Sequence, residues 1–203
     1  MVGKRYFYNT NRNDYTFILT FLTSSKSNTL PRSCLEATAC TKRSGIYKIL
    51  VEKFSNDPFL VECDVKTDGG GWTMIQRRQD GSVDFYRDWA EYRNGFGEID
   101  GEFFIGLDKL HALTNYNGPQ ELLIILEDDG VIKHAKYTNF VVGGESEVYA
   151  LKHLGVYSGD AGNSLQGHLG LKFSTKDRDH DMYDGNCAET YTGAWWYGKC
   201  HVR

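Results

Sequence analysis

Apolar and polar positions along the chain fall into short blocks separated by glycine. Residues 45–51 (GIYKILV) and 58–63 (PFLVEC) alternate or run apolar over strand lengths. Gly69, Gly70 and Gly71 force a tight turn, and residues 72–77 (WTMIQR) then read as a strand. Residues 88–92 and 107–113 (LDKLHAL) are the short-helix candidates, the second with Leu107, Leu110 and Leu113 three apart. Residues 121–127 (ELLIILE) predict a buried central strand. Asp128, Asp129 and Gly130 predict a hairpin turn leading into the alternating partner strand 131–140 (VIKHAKYTNF). Residues 149–154 offer one more strand. From Ser158 to Lys199 glycine rises and periodicity fades, which predicts loops held by side-chain packing, a disulfide or a metal. No internal repeat is visible. The pattern is that of an α+β fold with an antiparallel sheet.

The first 33 residues read differently. Residues 15–22 (YTFILTFL) are the longest apolar run, far short of the about 20 residues that span a membrane, so no transmembrane span is expected. Lys4, Arg5 and Arg12 before this run, with the small residues 23–25 after it, fit a short signal peptide. A polar leader with an incidental apolar patch fits better, because the run is short for a signal and diluted by threonines. Residues 23–33 (TSSKSNTLPRS) read as a linker, and the domain is expected to begin near Cys34.

Composition narrows the function classes. The 203 residues include 28 aromatics and 22 glycines but only 3 prolines, which excludes disorder, collagen and coiled coil. A net charge of −4 removes the basic face that nucleic-acid binding needs. No G-x-S-x-G elbow, H-E-x-x-H pair or Walker loop occurs, and residues 162–167 (GNSLQG) echo a nucleophile turn with the wrong spacing. The protein is expected not to be an enzyme. Five cysteines without a C-x-x-C pair argue against zinc. Asp177, Asp179, Asp181 and Asp184 crowd one glycine-ended loop that departs from the EF-hand template at its sixth and twelfth positions. A hard-cation site and a solvated turn are both open from these residues alone. Trp195 and Trp196 are candidates for stacking on a ligand or for core packing.

Several segments in order resemble the fibrinogen C-terminal domain family, which includes ficolins, tachylectins, tenascin tails and angiopoietins. They are Cys34 with Ser44-Gly45-Ile46-Tyr47, Val61-Glu62-Cys63-Asp64, Asp68 to Thr73, and Gln76 to Phe85. Trp89, Tyr92, Gly95-Phe96-Gly97 and Gly101 to Gly106 follow, then Phe173 to Asp177, Asn186-Cys187-Ala188, Gly193 to Trp196, and Lys199-Cys200-His201. The resemblance implies an N-terminal subdomain over residues 34–72, a central sheet over 73–147, and a calcium- and ligand-binding subdomain over 148–203. Family domains continue well past the Cys-His pair, with a returning strand of the central sheet, so the sequence is expected to be truncated within that last subdomain.

The resemblance also implies the site. It pairs Cys34 with Cys63 and Cys187 with Cys200, leaving Cys40 single, either inert or available for an intermolecular bond. Disulfides imply an oxidising compartment and hence a secreted, extracellular protein. Calcium would be held by the Asp179 and Asp181 side chains and the Tyr183 and Gly185 carbonyls. Ligand would be met at Lys199, Cys200 and His201, across a cis Lys199–Cys200 peptide, with Trp195 and Trp196 alongside. Among the acidic and amide positions that receive a peptide knob in fibrinogen, Glu189 alone keeps a charge. The leading expectation is calcium-dependent recognition of acetylated carbohydrate in innate immune pattern recognition. The alternatives are a receptor-ligand or matrix module of the angiopoietin or tenascin kind, with a protein receptor as partner, and a truncated product with impaired binding. Oligomerisation stays open, without a collagen stretch or coiled coil in this sequence.

Overall fold

The computed structural model of the protein describes residues 3–10, 29–52, 55–116 and 118–201. The first element is strand β1 (Gly3–Thr10), in a stretch expected to be a leader. Arg12 and the apolar run 15–22 lie outside the described residues. Helix α1 (Cys34–Thr38) follows, capped by the Ser33 hydroxyl, which accepts from the Glu36 N–H. Strands β2 (Gly45–Ile49), β3 (Phe59–Asp64) and β4 (Trp72–Arg78) match the three apolar blocks read from the sequence. Between β3 and β4, Gly70 sits at φ 80° against Val65, where a Cβ would lie 2.6 Å from the Val65 carbonyl oxygen. Glycine is required at that turn.

Helix α2 (Trp89–Asn94) starts one residue later than predicted because Asp88 is its cap. The Asp88 carboxylate accepts from the Glu91 N–H and the Glu91 carboxylate accepts from the Asp88 N–H, a closed capping box. Strands β5 (Phe96–Gly97) and β6 (Phe103–Phe104) branch off β4, and helix α3 (Leu107–Asn115) buries Leu107, Leu110 and Leu113 as their spacing predicts. Strands β7 (Gln120–Asp128) and β8 (Val131–Tyr137) form the expected hairpin. Its turn is Asp129-Gly130, both with positive φ (47° and 78°), which matches the twist of the flanking strands.

The strand predicted to reach residue 140 ends at Tyr137. There the backbone turns so that the Phe140 N–H can donate to the Gln120 carbonyl. Strands β9 (Val141–Val142) and β10 (Leu151–His153) make a small second sheet, and β11 (Tyr157–Gly159) pairs with β8. Helix α4 (Cys187–Thr190) is the last element.

The main sheet runs β11-β8-β7-β1-β4-β3-β2, antiparallel throughout, with its core side filled by Trp72, Tyr137, Phe140, Tyr149 and Phe173. Both expected disulfides form, Cys34–Cys63 and Cys187–Cys200, and Cys40 is an exposed free thiol. Among the described residues, no helix is long and apolar enough to cross a membrane.

Two buried charges stitch the interior. Arg77 pairs with Glu62 and donates to the Ile99 and Gly101 carbonyls. Glu102, only 1% exposed, accepts from the backbone N–H groups of Gln79, Asp80, Gly81 and Val83.

Candidate functional site

The loop-rich segment after β11 builds its site around the Cys187–Cys200 bridge. Asn186 anchors the first cysteine. Its side-chain oxygen accepts from the Ala188 and Glu189 N–H groups, and its amide nitrogen donates to the Thr175 and Lys176 carbonyls. A residue with both a donor and an acceptor is needed there, so α4 and the acidic loop are fixed to each other by one side chain.

The acidic loop is a succession of aspartate turns. Asp179 Oδ1 accepts from the Asp181 N–H at 3.0 Å, and Asp181 Oδ1 accepts from the Tyr183 N–H at 2.8 Å. Asp181 Oδ2 reaches the Cys187 N–H at 2.8 Å and so ties the loop to the disulfide. Asp177 faces the other way: its Oδ1 accepts from the Trp89 N–H and the Thr175 hydroxyl, locking the loop to α2. Asp179, Asp181, Tyr183 and Gly185 lie together on this one loop. Among the described residues, no group of three or more His, Cys, Asp or Glu side chains is placed to hold a metal.

The second cysteine ends in a patch of rings. His201 sits 4.2 Å from the Tyr191 ring and 5.5 Å from the Tyr197 ring, centroid to centroid. Tyr191 is 49% exposed while Tyr197 is buried, so one ring is offered and the other supports it. The Tyr197 hydroxyl donates to the Gly193 carbonyl. Burial, with Tyr191 and Asp181 nearby, pushes this phenol up to about 12, so it stays neutral at physiological pH.

Beside the patch lies an open cavity of about 580 Å³. It is lined by the sheet residues Arg78, Ile124 and Tyr137 and by His168, Trp195 and His201. The volume falls in the range of small-ligand and peptide clefts. His168 is 5% exposed and its Nδ1 bonds the Trp196 carbonyl. Burial holds its pKa below the usual imidazole value, so the ring is neutral at physiological pH.

The structure decides one open alternative at this site and corrects one expectation. Trp196 is a core residue, 5% exposed, with its Nε1–H donating to the Tyr149 carbonyl and its ring against Phe173. It cannot stack on a ligand, whereas Trp195 does reach the cavity wall. The Lys199–Cys200 peptide is trans, and the backbone turns instead through Cys200 at φ 63°. Lys199 and His201 are exposed and Cys200 is buried by its bridge. Reading the sequence missed His168, Tyr191 and Tyr197. Nothing in local spacing marks them: Tyr191 and Tyr197 meet through the turn of the disulfide loop, and the fold brings His168 to the same region from over twenty residues away.

The sequence profile described as fibrinogen beta and gamma chains, C-terminal globular domain, matches residues 30–203. The protein belongs to this fibrinogen C-terminal domain family. Chicken (Gallus gallus) tenascin-R is 47% identical over 158 residues, covering 78% of this sequence and 12% of that protein. Human angiopoietin-related protein 1 is 50% identical over 155 residues, covering 76% of this sequence and 31% of that protein. The match therefore spans under a third of these two relatives.

Among solved structures, the fibrinogen-like globe domain of human ANGPTL2 superposes with a TM-score of 0.81 at 47% identity, covering 84% of this protein and 79% of that domain. Lamprey fibrin D-dimer, complexed with the peptide ligand Gly-His-Arg-Pro-amide, gives a TM-score of 0.79 at 38% identity, covering 87% of this protein and 60% of that one. The fibrinogen-like fold expected from the sequence is the fold observed.

Proposed function

We propose that this fibrinogen-like domain is an extracellular protein-interaction module of the receptor-ligand or matrix kind. It would dock a partner polypeptide at the face formed by Tyr191, His201 and the adjoining cavity. The observation that carries the reading is an exposed aromatic ring backed by a buried one, beside an open cleft and held by a disulfide. Rigid aromatic anchors at the edge of a pocket are the usual centre of protein-binding energy. Two disulfides fit an oxidising compartment. Similarity to tenascin-R and angiopoietin-related protein 1 favours protein partners over sugars. A related fold that carries a peptide ligand supports the same direction. The acetylated-glycan reading loses Trp196 as a stacking ring, because that side chain is buried.

The test is retention of the purified protein on cells and on secreted matrix. Binding that is lost after protease treatment of the surface, and indifferent to excess N-acetylglucosamine, is the expected result. Binding that resists protease and is competed by the sugar would replace this reading with the glycan one.

Calcium enters the proposal as a brace for the face. When bound, it would neutralise the carboxylates of Asp179 and Asp181, with the Tyr183 and Gly185 carbonyls completing the oxygen set. The protein itself holds the loop closed through the Asp181 bond to the Cys187 N–H. Millimolar CaCl₂ is expected to raise Tm by several degrees, consistent with roughly 2–4 °C per kcal/mol for a domain of this size. Asp179→Asn with Asp181→Asn is expected to abolish that increment. A wild-type Tm indifferent to calcium and EDTA would refute the site.

A further inference from the structure

His168 leaves a hydrogen-bonding atom unused. It is 5% exposed, yet it lines the cavity beside the ring patch. Its Nδ1 lies 2.7 Å from the Trp196 carbonyl oxygen. A carbonyl only accepts, so Nδ1 carries the proton, and in the neutral ring Nε2 keeps its lone pair. Among the described residues, nothing donates to Nε2. Nor is this atom sealed in the core: its lone pair opens on the cavity that the ring lines. The Trp195 ring stands nearly perpendicular to the imidazole, 6.2 Å away between centroids, and helps to fix it. The result is a recessed acceptor of set direction.

The charged groups around the cavity select what can meet it. Glu102 is the one carboxylate among the lining residues, and four backbone N–H groups already occupy its oxygens. An incoming ammonium or guanidinium would find no counter-ion there and would face Arg78. An incoming carboxylate would meet the Nε2 lone pair, and Arg78 is already 3.6 Å from Glu102 and donates to the Val83 carbonyl. Burying an unpaired charge costs far more than burying a neutral group that makes its hydrogen bond. What fits is therefore a neutral donor on an apolar body. Phe85, Ile124, Leu126, Tyr137 and Trp195 supply the apolar and aromatic lining that such a body needs. A phenol has this form, with its O–H at the far tip of the ring, where it reaches a recessed acceptor head-on.

We infer that the cavity seats a tyrosine side chain of the partner, its phenol O–H donating to His168 Nε2; this rests on the protein-docking reading of the face. The exposed Tyr191 ring makes the outer contact, and His168 sets which side chain enters.

Titration of the full-length protein with N-acetyl-L-tyrosinamide, N-acetyl-L-phenylalaninamide and N-acetyl-L-lysinamide tests this, followed by NMR of ¹⁵N-labelled histidine. The tyrosine amide is expected to bind about tenfold more tightly than the phenylalanine amide, which leaves the recessed acceptor unpaired. The His168 Nε2 resonance should move upfield with the tyrosine amide and stay in place with the phenylalanine amide. In His168→Phe, shown to be folded by its Tm, the two amides should bind alike; if that variant does not fold, the wild-type resonance carries the test. Equal wild-type affinity for the two amides, an unmoved Nε2 resonance, or a preference for the lysine amide would overturn the assignment. So would a tyrosine preference that survives in folded His168→Phe. A protein that binds the tyrosine amide as described but not the protease-sensitive surface would keep the cavity assignment and lose the docking reading. Surface binding without any amide binding would do the reverse.

Discussion

Glu102→Ala is expected to destabilise the protein by about 3–5 kcal/mol, the range for removing one partner of a buried, hydrogen-bonded charge. Glu102 Oε1 accepts from the N–H groups of Gln79, Asp80 and Gly81 at 2.6, 3.1 and 3.0 Å, and Oε2 accepts from Val83 at 3.1 Å. Arg78 Nε lies 3.6 Å away and its guanidinium caps the Phe85 ring. Alanine would leave those donors without their acceptor and remove the carboxylate beside Arg78, which keeps its bond to the Val83 carbonyl. The turn over residues 79–83, which adjoins the cavity, would lose its anchor. Glu102→Gln keeps the shape but turns an NH₂ group toward N–H donors, and about half the loss is expected.

The pH dependence has a definite sign. Burial raises the Glu102 pKa, but the N–H bonds from Gln79, Gly81, Val83 and Asp80 outweigh it, and the net shift is downward. The unfolded state therefore takes up this proton first as pH falls. The contribution of Glu102 is full above its unfolded value, about 4.3, and is lost as pH drops through the lower folded value. Urea denaturation at pH 7 and pH 3 measures both effects. A difference between wild type and Glu102→Ala below about 0.5 kcal/mol at pH 7 would refute the anchoring role.

Cys187→Ser with Cys200→Ser is expected to have the second largest effect, and the larger one on function. The bridge closes a loop with a sequence separation of 13, for which conformational entropy gives about 3 kcal/mol. For a domain of this size that is a Tm loss of roughly 6–12 °C. The bridge also holds the ring patch, since Tyr191 and Tyr197 lie within the loop and His201 follows it. The double variant should therefore be cut by protease within residues 188–199 while the main sheet stays protected. Its binding to the protease-sensitive surface partner should fall at least tenfold. Unchanged binding by a folded double variant would move the docking face elsewhere.

Much of this architecture is legible in the sequence because it rests on local periodicity. The β7–β8 hairpin follows from an apolar run, an Asp-Gly turn and an alternating partner. The leucines of α3 mark its buried side, and the cysteine pairing follows from the family resemblance. What is not legible depends on distant segments. Lys4 and Arg5 read as the charged start of a leader, while the structure pairs their stretch with strands seventy and more residues away. Adjacent tryptophans look alike in sequence. Only the reach of Trp196 to the Tyr149 carbonyl separates a core residue from the cavity-lining Trp195. The Asn186 clamp is likewise invisible, because its four partners lie on both sides of the acidic loop.

The measurement that bears most directly on the proposed docking face is surface binding by Tyr191→Ala. This ring is half exposed and stands outside the core, so the variant should keep the wild-type Tm. Loss of an anchor of this kind costs at least about 1.4 kcal/mol, a tenfold change in Kd. The account predicts that Tyr191→Ala binds the protease-sensitive partner at least tenfold more weakly at unchanged stability. Wild-type affinity in a folded Tyr191→Ala variant would contradict it.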